Sequence, residues 1–145
     1  MSESTMSISK RFRELRERAG LSENEASQRM DVSVWDIEAV EDELTCCYSP
    51  AEVRQFCQIL SARPSELFHI TTSEPAVSAE DLVSLIQAEC QQRGVSLEQF
   101  EEAVGWYLSR SMEPPERLLE DITVDGLQCL CRELGLSWHR VILSL

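Results

Sequence analysis

The sequence predicts an all-α protein built as two tandem five-helix units, and three observations carry that prediction. Apolar residues recur at helical spacing along most of the chain. Glycine and proline, at 5 residues each, are too scarce for the frequent turns of a sandwich or barrel. The apolar register of the first half also returns in the second after a shift of about 74 positions. The expected organisation is a first unit over 1–70, a linker over 71–79 and a diverged second unit over 80–145.

The first helix is set by Ile8, Phe12, Leu15 and Ala19. It stops at Gly20, with Arg16 and Arg18 in the last turn, where the helix dipole favours positive charge. Ser22 and Glu25 form a capping-box pattern that opens a second helix, Glu23 to about Met30. A short turn at Asp31 and Val32 leads to Ser33, a fitting cap for a third helix from Val34 to about Glu43 that turns Ile37 and Val40 inward. Helix, tight turn, helix is the element that in many proteins enters the major groove. Ser49-Pro50 opens a fourth helix with Val53, Phe56, Cys57 and Leu60 on its apolar face. Arg63-Pro64 ends it, and Pro64 to Phe68 makes a short fifth. Thr71 to Ser78, with Pro75 inside, reads as a linker.

The shifted register then aligns Ile8 with Leu82, Phe12 with Ile86, Gly20 with Gly94 and Ser22 with Ser96. It continues through Met30 and Val104, Leu44 and Leu118, Cys57 and Cys131, and Leu67-Phe68 and Val141-Ile142. Identities are few; what repeats is the pattern of apolar positions, the cap serine and the closing helix.

The net charge of −13 is spread evenly: residues 1–74 hold 8 basic against 14 acidic side chains, and residues 75–145 hold 5 against 12. Long-range electrostatics therefore repel nucleic acid from both halves. No apolar run approaches the ~20 residues of a membrane span. Met1 to Ser9 is polar, with no apolar signal-peptide stretch, so a cytoplasmic protein is expected. Six cysteines (Cys46, Cys47, Cys57, Cys90, Cys129, Cys131) show no C-x-x-C, and only His69 and His139 could join them. Metal binding is not expected, and reduced cysteines, several of them in the core, are. There is no Gly-rich phosphate loop and no plausible nucleophile–base pair, so neither catalysis nor a cofactor or small-molecule ligand is indicated. Paired acids such as Glu101-Glu102 and Glu120-Asp121 are adjacent in sequence and point apart on a helix.

Residues 8–68 resemble the lambda-repressor-like (Cro-type or XRE-type) helix-turn-helix family. The stretch I-S-K-R-F-R-E-L-R-E-R-A-G-L-S from Ile8 to Ser22 carries the resemblance, with Val32-Ser33, Ile37, Glu41 and the closing P-x-E-L-F from Pro64 to Phe68. Residues 82–142 resemble the family only through the first half. The resemblance implies an ion pair between Arg16 and Glu41 that braces the first helix against the third. The matching positions in the second half are Cys90 and Pro115. Both charges are gone together, which fits a folded copy, because losing one partner of a buried pair costs about 3–5 kcal/mol.

The resemblance also implies DNA binding, and the candidate residues are Lys10, Arg11, Arg13, Ser22, Glu23, Ser33, Val34, Trp35 and Asp36. Their chemistry argues against it. Glu23 stands where the family commonly carries glutamine, and the expected reading helix presents Val34, Trp35, Asp36 and Glu38, then Asp42 and Glu43. One carboxylate can accept from cytosine, but several facing phosphates with no compensating arginine cannot dock. The basic residues of the first helix read either as a phosphate grip or as a solvated face balanced by Glu14 and Glu17. Trp35 is expensive to leave wet and should touch the second unit, a dimer mate or a partner. Trp106, Tyr107, Leu108 and Met112 read as core or as a patch that binds a protein. Partner-interface candidates are therefore Trp35, Asp36, Glu38, Asp42, Trp106 and Tyr107. Two functions are expected from these residues. One is a regulator-like protein with a degenerate reading surface, acting through a protein partner, itself as a homodimer, or DNA mimicry. The other is an XRE-type DNA-binding transcriptional regulator.

Overall fold

The computed structural model describes residues 8–30, 48–108 and 112–145. All regular structure among them is α-helical: α1 (Ile8–Arg18), α2 (Glu23–Met30), α3 (Pro50–Ile59), α4 (Pro64–Leu67), α5 (Ala79–Arg93), α6 (Leu97–Val104), α7 (Glu116–Asp121), α8 (Val124–Leu134) and α9 (Trp138–Ile142). The expected third helix, Val34 to Glu43, lies outside the described residues. No described helix is long and apolar enough to cross a membrane.

Local chemistry sets the helix ends. Reciprocal capping boxes start α2 (Ser22 with Glu25), α3 (Ser49 with Glu52), α5 (Ser78 with Asp81) and α6 (Ser96 with Gln99). Each satisfies two backbone donors that a helix start leaves orphaned. α3 ends earlier than the Arg63-Pro64 stop implies. Leu60 caps it and Ser61 takes a positive φ of 54°, so that the Ala62 N–H reaches the Cys57 carbonyl at 2.8 Å. α8 ends the same way at Gly135, with the Leu136 N–H on the Cys131 carbonyl at 2.9 Å. Glycine is free to adopt that conformation; Ser61 adopts it against a steric penalty.

The linker expected over 71–79 is shorter in the structure. Val77 is buried in the second core, Ser78 caps α5 and Ala79 is its first residue. The Val77 N–H donates to the Arg140 carbonyl (2.9 Å), and Arg140 Nε donates back to the Pro75 carbonyl (2.9 Å). A buried valine beside a capping serine makes this stretch part of the second core's wall.

Two cores result. The first gathers Leu15, Leu21, Ala26, Val53, Phe56, Cys57, Leu60 and Leu67. The second centres on Leu82, Ile86, Phe100, Leu108, Leu118, Leu127, Leu130, Val141 and Ile142. They are joined: Val124, the first residue of α8, is wholly buried in the first core, and its N–H donates to the Tyr48 carbonyl at 3.1 Å. The ring of Phe68 meets Trp138 edge-on at 5.4 Å, and both pack against both cores. Helices α3 and α7 touch, as do α4 and α9.

Candidate functional site

The expected DNA-binding residues divide into those the structure describes and those it does not. Ser33, Val34, Trp35, Asp36, Glu38, Glu41 and Asp42 lie outside the described residues. So the Arg16–Glu41 pair and the reading helix are not among the contacts available. What is described is the first helix and its surroundings.

Three of its four arginines, Arg11, Arg16 and Arg18, bond to the protein itself. Arg11 is half-buried and donates through Nε to the Glu66 carbonyl in α4 (3.0 Å), with Glu14 at 3.8 Å. Arg18 Nη1 bonds the Glu66 carboxylate at 3.0 Å, and Nη2 reaches the Ser61 carbonyl at 3.5 Å. Arg16 Nη1 donates to the Leu21 carbonyl at 2.6 Å, closing the turn after α1. Glu66 is the hub: its other oxygen accepts the Arg63 N–H at 3.0 Å. The Arg18 hydrogen bond, then that backbone donor, holds its carboxyl below the usual range. Arg13 and Lys10 are exposed, as is Glu23 at the start of α2. Ser22 is committed to its cap, accepting from the Glu25 N–H at 3.1 Å.

Arg93 does the equivalent work in the second half. It bonds Glu89 (2.7 Å), Glu133 (3.1 Å) and the Glu133 carbonyl (2.8 Å), and lies 5.2 Å over the Phe100 ring. Nothing in the sequence singled it out, because one of its two acidic partners, Glu133, comes from a helix 40 residues away.

The Trp106 to Met112 stretch resolves into distinct fates. Trp106 is half-buried with its indole laid on Gly126 of α8: a Cβ there would fall 1.2 Å from Nε1. That Nε1 is buried and has no hydrogen-bond partner among the described residues. Leu108 and Met112 are buried. Tyr107 is 88 % exposed. Between Tyr107 and α6 lies an open groove of about 430 Å³ lined by Glu98, Glu101, Glu102, Gly105, Trp106 and Tyr107. Glu101 is buried, and its Oε2 accepts the Leu108 N–H, which ties the segment after α6 back to the helix. No helix occupies the described residues between Val104 and Glu116.

Among the described residues no cluster of His, Cys, Asp and Glu could hold a metal ion. Cys57 and Cys131 are buried, one in each core, and burial pushes each thiol up to about 12. Cys90 and Cys129 are half-buried. No known protein family, curated protein or solved structure matches the chain.

Proposed function

We propose that this chain is a helix-turn-helix protein of regulator type whose reading surface is degenerate, and that it works through protein–protein contact or by presenting an acidic, DNA-like surface. The observation that carries the reading is the fate of the helix-one arginines: Arg11, Arg16 and Arg18 spend their donors on Glu66, Ser61 and Leu21. A phosphate grip needs such donors turned outward. Of that cluster Lys10, Arg13 and Arg18 are exposed, and Arg18 is held on Glu66, against a net charge of −13. The proposed function includes no catalytic step and no cofactor.

The proposed frame is two tandem lambda-repressor-like units, supported by element bounds. α2 and α6 are each 8 residues long and begin 74 positions apart; α3 and α8 begin 74 apart, as do α4 and α9. Ser61 and Gly135 stand at the same offset and make the same left-handed turn. In the second unit the described residues where a reading helix would start, Tyr107 and Leu108, are not helical. The contact between α4 and α9 is then one between matching helices of the two units, made within a single chain. The alternative, a DNA-binding regulator of the XRE type, is favoured by the exposed Lys10, Arg13 and Arg18 of α1.

Arg11→Gln combined with Arg18→Gln separates the two. On our reading the double variant loses about 1–3 kcal/mol of stability, because charge-assisted hydrogen bonds to α4 are lost and one of them is exposed. Chemical denaturation measures this. An unchanged unfolding midpoint together with lost binding to duplex DNA contradicts it.

A further inference from the structure

The groove beside α6 has a composition that the reading surface does not explain. Glu98 and Glu102 lie one helical turn apart on α6, so their carboxylates share a face. Neither makes an ion pair among the described residues, whereas Glu66, Glu89 and Glu133 each hold an arginine. Glu101 forms the floor, more than nine-tenths buried and fixed by the Leu108 N–H. Trp106 is a rigid wall, because its indole is locked on Gly126. Tyr107 stands at 88 % exposure beside these acids, while Leu85, the other exposed large apolar side chain among the described residues, reaches 39 %.

We infer that this groove docks an arginine-bearing segment of a basic partner protein. The occupant follows from charge and shape. Carboxylates on one side accept the planar donors of a guanidinium, and its face stacks on an aromatic ring; a lysine ammonium offers no such plane. The volume suits one or two side chains rather than a folded element. Nucleic acid and anionic lipid are repelled by the same carboxylates. The groove also lies beside a stretch whose described residues, 105–108 and 112–115, form no helix, so docking there competes with no other described contact.

This inference rests on the interaction-protein reading and names the chemistry of its partner. The test is fluorescence anisotropy of the full chain with labelled Gly-Arg-Gly-Arg-Gly-Arg-Gly, against the same peptide with citrulline for arginine, at about 150 mM salt to suppress diffuse attraction. The arginine peptide should bind at least about tenfold more tightly than the citrulline one. Glu98→Gln with Glu102→Gln, and separately Tyr107→Ala, should each weaken it about tenfold. Glu17→Gln with Glu74→Gln, the same charge change outside the groove, should alter it less than about twofold. Tyr107 is exposed, so its variant keeps the fold, which circular dichroism checks. Absent binding, equal losses in the groove and control pairs, or an unchanged Tyr107→Ala affinity overturns the proposal. Titration with duplex DNA tests the underlying reading alone. A DNA-silent chain whose groove variants bind normally would remove the groove and leave that reading standing.

Discussion

At the scale of single residues, Gly126 has the sharpest consequence. The Trp106 indole lies against it, and any Cβ there collides with a ring rather than a flexible chain end. Gly126→Ala should therefore lose about 1–3 kcal/mol, the usual range for overpacking, despite alanine's better helix propensity. Tryptophan emission should shift red as the indole is displaced. An alanine variant as stable as the parent would show that Trp106 does not sit there. The cysteines give a second residue-scale prediction. With Cys57 and Cys131 pushed up to about 12, their thiolates are absent at neutral pH. Iodoacetamide at about pH 8 should leave both unmodified in the folded protein and label both after denaturation. Native labelling at the denatured rate would contradict their burial. The sign of the linkage follows: this contribution to stability is complete below the unfolded thiol value of 9.0 and is lost as pH rises toward 12. Core positions of this kind were legible in the sequence, because Cys57 and Cys131 sit in register with leucines. The Trp106–Gly126 contact was not. It joins residues from separate elements, and a glycine inside α8 shows no periodicity to read.

At the scale of elements, capping explains why the start of α2 could be read directly: Ser22 and Glu25 are three residues apart, and both are visible in sequence. Ends were less legible. α3 stops at Ile59 because Ser61 adopts a left-handed conformation that its side chain does not advertise. The basic face of α1 was visible too, but its partner was not, since the Glu66 carbonyl reaches Arg11 across 55 residues. Titration should expose the α1–α4 clamp. Glu66 is held below its unfolded value of 4.5 chiefly by Arg18, so its contribution is present above pH 4.5 and is lost as pH falls through its lower folded value. Arg18→Gln should flatten the acid side of the stability–pH curve below 4.5 while leaving the neutral region less changed. His139 acts in the same direction from higher pH: desolvation beside Trp138 lowers it from 6.5, so some stability is lost as pH falls below that value. A parental curve and an Arg18→Gln curve that run parallel below pH 4.5 would contradict the clamp.

At the scale of the whole molecule, Val124 of α8 is buried in the first core and Phe68 and Trp138 pack against both, so the halves are one packed body in which α4 touches α9. Val53, Phe56 and Cys57 are buried like Leu127, Leu130 and Cys131, and this apolar register at a 74-position shift was legible in the sequence. The route between the halves was not, since Val77 and Ser78 look like linker residues until Arg140 arrives from the far end of the chain. Net charge of −13, inward-turned arginines and a groove of glutamates beside an exposed tyrosine all point the same way. The central claim is that the chain keeps a DNA-reading frame without reading DNA. Fluorescence anisotropy with random-sequence duplex, at about 50 mM and then 200 mM salt, addresses it most directly, since phosphate contacts weaken steeply across that range. The account predicts no binding at either salt concentration. Micromolar binding at the lower salt that collapses at the higher would contradict it and make Lys10 and Arg13 the phosphate grip.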